Sequence, residues 1–328
     1  MRVSPRQGEV LGPHDRPLDH PGSRRAGVVA PVSAAVFGVT LYSLSPVLVR
    51  ASDLSGPVFA FWRMLLATPV LAIAVVATRI RAGRSRPALA DQGQPPAAGG
   101  GWWLPVLGGV GLGVNQLATM SALKLTSVAN VALISTLSPL IIAGLGVALL
   151  GERQRRMFWV WTLVAMAGAA YVVVAEAGGI DADAWGMGLA LVGVLAFAVF
   201  MLTGRHSSRS LSQFLFASTA AGTVLLAAFV LITRADLAIT GRTDLVRVLI
   251  VVFGSGTIGH WLFTWSLRAT SAGFGAVMRL LQPVLAGVFA WILLAESVTP
   301  AQLIGGAVIL AGVAAVVLVS RRPPPPPS

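Results

Sequence analysis

The 328-residue chain contains no cysteine, which excludes disulfides, thiolate metal sites and a cysteine nucleophile. Charge is also scarce. Only 11% of residues are Asp, Glu, Lys or Arg, against about 25% in an ordinary soluble domain. Too few charges remain to coat a water-facing surface, and 55% of the residues are hydrophobic, so the outer surface is expected to face lipid. Carboxylates are missing where they would matter most, because no Asp or Glu falls near the middle of a long apolar run. There is no His-Glu-x-x-His, no carboxylate pair and no phosphate loop. Val252-Phe253-Gly254-Ser255-Gly256 lacks the Gly-x-Ser-x-Gly elbow, and Ser255 and His260, five apart, do not share an α-helical face. These absences argue against an intramembrane enzyme, and no cofactor or metal is expected.

What is present is a succession of apolar runs. A bilayer core of about 30 Å needs about 20 apolar helical residues. On that ruler spans fall near 28–49, 57–78, 102–122, 127–149, 157–175, 185–204, 213–234, 246–267, 271–293 and 299–320. Residues 1–27 mix Arg, Pro, Gly and Asp without periodicity and read as a disordered cytoplasmic tail. The first span exceeds a signal-peptide core and lacks a small-x-small cleavage site, so it reads as retained. Residues 79–101 read as a flexible cytoplasmic linker, and 321–328 as a Pro-rich cytoplasmic tail.

The net charge of +12 comes from 24 Lys and Arg against 12 Asp and Glu. With the N-terminus inside, seventeen of the basic residues fall in cytoplasmic segments, five at outer edges (Arg50, Lys124, Arg234, Arg242 and Arg247) and two within spans, Arg63 and Arg279. That bias places both termini in the cytoplasm, by the positive-inside rule, of a multi-pass protein of the plasma (inner) membrane. The basic residues are spread over loops and do not form one face, so nucleic acid is not an expected partner. The expected partners are the bilayer and a small-molecule substrate, with the chain a monomer or homodimer.

Sliding the chain against itself exposes an internal repeat. Residues 122–174 align without gaps on 266–318, offset by 144, and fifteen of the 53 pairs are identical. Upstream the offset becomes 155, pairing Phe59 and Phe61 with Phe214 and Phe216. Residues 28–176 thus form one unit of five spans and 185–320 a second. An odd number of spans reverses the second copy, so the halves are expected to have inverted topology, an arrangement of secondary transporters with a midplane site between the halves.

The pattern Ala122-Leu123…Thr126…Pro139…Leu150-Gly151-Glu152 returns as Leu267…Thr270…Pro283…Leu294-Ala295-Glu296. It resembles the EamA-type repeat of the drug/metabolite transporter superfamily, over about residues 31–320. The resemblance implies an all-α integral membrane protein of ten transmembrane helices, built as two inverted EamA repeats. It also implies a secondary transporter exporting amino acids or other small metabolites. Carriers of nucleosides, drug-like or lipid-like solutes are the alternative. Phe61-Trp62-Arg63 resembles the arginine-bearing segment of the first repeat, with Ser218 as its counterpart in the second. Trp161 stands where span ten has Gly305, which predicts looser packing of span five.

Arg279 lies roughly 5 Å from the centre of span nine at ~1.5 Å per residue. A charge at that depth needs water, a partner or an anionic ligand. Gln282, three residues on, shares its face. His260 with Trp261 in span eight, Asn115 and Gln116 in span three, and Tyr42 in span one complete the substrate-binding candidates. Asn115 and Gln116, being adjacent, are expected to point apart. Gln116 and His260 are equivalent under the 144 offset. Pro139 and Pro283 each remove a mid-span N–H and free a carbonyl four residues back, as kinks or hinges. Arg63, nearer the outer end of span two, is expected to snorkel, and with Glu152 and Glu296 is a structural or gate candidate. An interior with arginine and no carboxylate favours an anionic substrate group.

Overall fold

The computed structural model describes residues 21–85, 101–151, 154–176, 184–239, 241–270, 272–285, 288 and 299–320. Every regular element among them is helical. In hydrocarbon no water satisfies backbone N–H and C=O groups, and a helix satisfies them within its own segment. The helices are α1 (Pro21–Ala51), α2 (Gly56–Ser85), α3 (Trp103–Leu125), α4 (Val128–Ser135), α5 (Ser138–Leu150) and α6 (Arg156–Glu176). There follow α7 (Ala184–His206), α8 (Leu211–Ile232), α9 (Arg242–Val251), α10 (His260–Ala269), α11 (Ala272–Met278) and α12 (Pro300–Ser320). Among the described residues nine stretches are long and apolar enough to cross a membrane, with a shorter apolar helix at Gly273–Leu285.

Two boundaries differ from expectation. α1 starts at Pro21, inside the stretch read as a tail, and α2 continues to Ser85, into the stretch read as linker. Arg and Ala propagate a helix once it is running, and charge density alone does not end one. Residues 1–20, 86–100 and 321–328 lie outside the described residues.

Three spans are interrupted. The fourth divides into α4 and α5, with Pro139 in the first turn of α5, where a missing N–H costs nothing. The ninth leaves α11 for a 3-10 turn at Arg279–Leu281, just ahead of Pro283. The eighth passes from α9 to α10 through a π-helical segment, Val252–Gly259. In π spacing residues five apart come near one another, so Ser255 and His260 approach more closely than α-helical geometry allows. They still do not pair: the Ser255 hydroxyl donates to the Val251 carbonyl (3.2 Å), and His260 Nδ1 has no partner among the described residues.

Packing follows the duplication. α3 lies along α7, α1 along α10 and the π segment, α2 along α8, α5 along α11 and α6 along α12. Exchanging the halves maps this set of contacts onto itself. Where backbones come close, small residues permit it. A Cβ on Gly113 of α3 would sit 3.0 Å from Gly222 Cα of α8, and one on Gly168 of α6 would sit 3.0 Å from the Gly305 carbonyl of α12. The expected looseness of span five is therefore absent. Gly168 supplies the close approach, while the half-buried Trp161 packs on the core.

Candidate functional site

The interrupted helices converge on one chamber. α1 contributes Tyr42, Ser45 and Pro46, and Pro46 removes the N–H that would otherwise bond the Tyr42 carbonyl. The α4–α5 break supplies Ser135 and Ser138, and the break in span nine supplies Arg279 and Gln282. Under the 144 offset Ser135 corresponds to Arg279 and Ser138 to Gln282. The two breaks thus line the cavity with equivalent positions carrying different chemistry. The remaining wall comes from Arg63 of α2, Asn115, Gln116 and Thr119 of α3, Phe197 of α7 and His260 of α10. No carboxylate is among the described lining residues. An apolar compartment adjoins it, walled by Val47, Leu123, Val131, Ala132 and Leu280, and shares Arg279 and Gln282 with the polar one.

One hydrogen-bonded chain organises the polar wall. Arg63 donates to Gln116 Oε1, Gln116 Nε2 donates to Asn115 Oδ1 at 3.1 Å, and Asn115 Nδ2 donates to the Gly193 carbonyl at 2.8 Å. Asn115 and Gln116 therefore do not point apart; their long amides bend toward each other and both line the chamber. Arg279 stands on the aromatic wall instead, its guanidinium 4.3 Å from the Phe197 ring centroid and 5.9 Å from that of Tyr42. His260 sits edge-on between Tyr42 (5.3 Å) and Phe200 (5.5 Å). Tyr42 Oη, Arg63 Nε, His260 Nδ1 and Arg279 Nε are buried without a hydrogen-bond partner among the described residues.

Of the candidates, Arg279, Gln282, His260, Gln116, Asn115 and Tyr42 are brought together here, and Arg63 joins them. Arg63 does not snorkel: it is 4% exposed, turned inward onto Gln116. Trp261 is not on the chamber wall; it packs half-buried against the core. Glu152 and Glu296 lie outside the described residues. Reading single residues missed Phe197, Ser138, Thr119 and Pro46. Two of these were recoverable from the repeat, since Phe197 answers Tyr42 at 155 and Ser138 answers Gln282 at 144.

The EamA-like transporter family matches residues 29–174 and again 184–318, most of the chain in two copies. The chain belongs to that family. EamA-like proteins form part of the drug/metabolite transporter superfamily, so this is a multi-pass membrane protein of transporter type. A solved crystal structure superimposes with a TM-score of 0.72, covering 91% of this chain and 98% of its own, at 21% identity. At that identity the likeness concerns the fold alone. No curated protein matches by sequence.

Related basic residues tie helix ends in the two halves of the EamA-like bundle. At one end Arg50, closing α1, donates to the Leu123 carbonyl (2.9 Å) at the C-terminus of α3, and Lys124 donates back to the Ser52 carbonyl. At the other, Arg205 of α7 donates to the Leu267 carbonyl (2.7 Å), and Arg268 donates to the Gly204 (3.3 Å) and Arg209 (2.8 Å) carbonyls. Arg50 answers Arg205 at 155, and Leu123 and Lys124 answer Leu267 and Arg268 at 144. Each tie places a cation on the last carbonyls of a helix, where the macrodipole is negative. They join α1 to α3 and α7 to α10. Asp244 of α9 reinforces the first, accepting from the Asp53 N–H (3.2 Å) and pairing with Arg247 (3.0 Å).

Proposed function

We propose that this protein is a secondary carrier that exports a small metabolite bearing a carboxylate or related anionic group, by alternating access around the chamber. The observation that carries the reading is the pair of guanidiniums, Arg63 buried and Arg279 half-buried with its Nε buried, in a cavity with no carboxylate among its described lining residues. A mid-membrane cation is costly, by at least ~2.5 kcal/mol on the insertion scale, and an anionic ligand offsets that cost. Arg279 and Gln282 take the polar end of the substrate. Tyr42, Phe197 and the adjoining apolar compartment receive its apolar part.

Alternating access in this reading uses two five-helix repeats, residues 28–176 and 185–320, of opposite orientation in the plasma membrane. Both termini are cytoplasmic, which puts the Arg50 tie at the outer end and the Arg205 tie at the inner end. Pro139 and Pro283 act as hinges. Release of one tie while the other holds opens the chamber to one side. The family membership and the exchange-symmetric packing support this scheme.

The solute leaves chemically unchanged, as for a carrier that is not an enzyme. A metabolite-export comparison of cells with and without the protein names the solutes, and flux of each is then measured in proteoliposomes. Arg279→Ala is expected to cut flux through weaker binding, by about 10- to 100-fold if one charge-assisted hydrogen bond of ~1.5–3 kcal/mol is lost. Arg279→Lys is expected to fall between. If both leave every transported solute unaffected, the substrate role of Arg279 is wrong. A chemically altered product would turn the reading to an enzyme.

A further inference from the structure

The polar chamber is the smaller of two adjoining spaces. Its cavity volume is about 90 Å³, against about 160 Å³ in the apolar compartment beside it. At ~10–15 Å³ for each water-sized position, the apolar compartment offers at least about ten positions, room for a side chain the size of leucine or phenylalanine. Its hydroxyls are turned back onto their own helices. Ser43 donates to the Thr40 carbonyl, Ser135 to that of Val131 and Thr136 to that of Leu133, each at 2.7 Å. Among its described lining residues the nitrogen donors are Arg279 and Gln282, on the wall shared with the chamber. A carboxylate held there can place its apolar side chain in the larger space.

The charge around that carboxylate is one-sided. Arg63, Arg279 and His260 line the chamber, and no described lining residue is acidic. His260 adds no negative charge in either protonation state. An ammonium on the carbon next to the substrate carboxylate would therefore meet two guanidiniums and no counter-charge. The amide oxygens of Gln116 and Asn115 already accept from Arg63 and Gln116. Aromatic faces attract cations, but Tyr42 and Phe197 already face the Arg279 guanidinium, at 5.9 and 4.3 Å. A neutral polar substituent in the same place has no such penalty and can use the hydroxyls of Ser45 and Ser138.

We propose that the substrate is a monocarboxylate with a bulky apolar side chain and no ammonium group, of the α-hydroxy or α-oxo acid kind, and that the chamber rejects the amino acid bearing the same side chain. This rests on the carboxylate reading above and narrows it. Arg279 and Gln282 hold the carboxylate, the apolar compartment takes the side chain, and the positive field of the chamber excludes the zwitterion.

The test uses matched probes that differ at one substituent. Thermal unfolding of the purified protein is followed against rising phenyllactate, phenylalanine and phenylpropionate, and against leucine and its hydroxy analogue. Phenyllactate is expected to raise Tm saturably, with a midpoint at least ~10-fold below that of phenylalanine. The hydroxy analogue is expected to precede leucine likewise. Phenylpropionate, which has only hydrogen in that place, is also expected to precede phenylalanine, which separates repulsion of the ammonium from a gain by the hydroxyl. Arg63→Gln narrows the gap between phenyllactate and phenylalanine, since one repelling cation is gone while Arg279 still holds the carboxylate. The wild-type comparison stands alone if that variant does not fold. Phenylalanine binding as well as phenyllactate or phenylpropionate overturns the proposal and leaves the carboxylate reading standing, because all three probes carry that group. No response to any of these acids overturns it too. The export comparison then shows whether the carboxylate reading fails with it, by whether the transported solutes carry an acidic group.

Discussion

A guanidinium held within a span must find something to replace the water it loses, and the buried Arg63 and half-buried Arg279 do so differently. Arg63 uses amides, donating into the Gln116–Asn115 chain; Arg279 uses aromatic faces, chiefly Phe197 at 4.3 Å. A desolvated cation–π contact is worth about 0.5–2 kcal/mol. Phe197→Leu removes the face but keeps apolar bulk, so Arg279 is less firmly aimed at the chamber. Substrate KM is expected to rise about 2- to 30-fold, with folding and membrane insertion unchanged. An unaltered KM in solute flux would show that Phe197 does not position the cation. At this scale Arg279 was legible from sequence as a cation near mid-span. Arg63 was misread because distance from a span end says nothing about which way the side chain turns. Trp261 was misread for the same reason, its neighbour His260 taking the chamber face.

At the scale of elements, sequence marked the breaks at Pro139 and Pro283 but not the π segment, because no residue type forbids an α-helix there. Pro283→Ala restores an N–H where span nine bends and is expected to straighten the 3-10 turn at Arg279–Leu281. Tm should hold or rise, since an interior proline disfavours a helix by ~3 kcal/mol, while substrate flux falls as Arg279 leaves the chamber. Unchanged flux in a stably folded variant would show the bend to be shape alone. The end ties make a sharper prediction, and the absence of cysteine makes it easy to read. A single Ser138→Cys, on the chamber wall, reports which side the chamber faces through membrane-impermeant thiol reagents. Arg50→Ala is expected to raise labelling from outside, and Arg205→Ala from inside, because each cuts the tie at one end. Equal labelling changes from both sides would remove the ties from the gating scheme.

For the whole molecule, the duplication sets expectations that no single helix does. Close packing between the halves rests on glycine. Gly222→Leu places a side chain against the α3 backbone at Gly113 and is expected to destabilise by at least ~1–3 kcal/mol, seen as a lower Tm and poorer monodispersity in detergent. Little change would mean that the α3–α8 contact contributes little to stability. Orientation is tested separately, since tags on both termini should be reached from the cytoplasmic face only. One tag outside would break the odd-span argument for inverted repeats.

Amino-acid order alone determined the spans, the duplication and the family, because hydropathy over about 20 residues and self-similarity are properties read along one dimension. It also determined the chemistry of the interior, cationic and without mid-span acid. Tertiary structure decided which polar groups meet. It turned Arg63 inward and Trp261 away, folded Gln116 onto Asn115, and paired Arg50 with Leu123 and Arg205 with Leu267. The physical reason is that helix rotation and neighbour choice arise from packing between segments far apart in the chain. A break such as the π segment at Val252–Gly259 resets the facing of every residue after it.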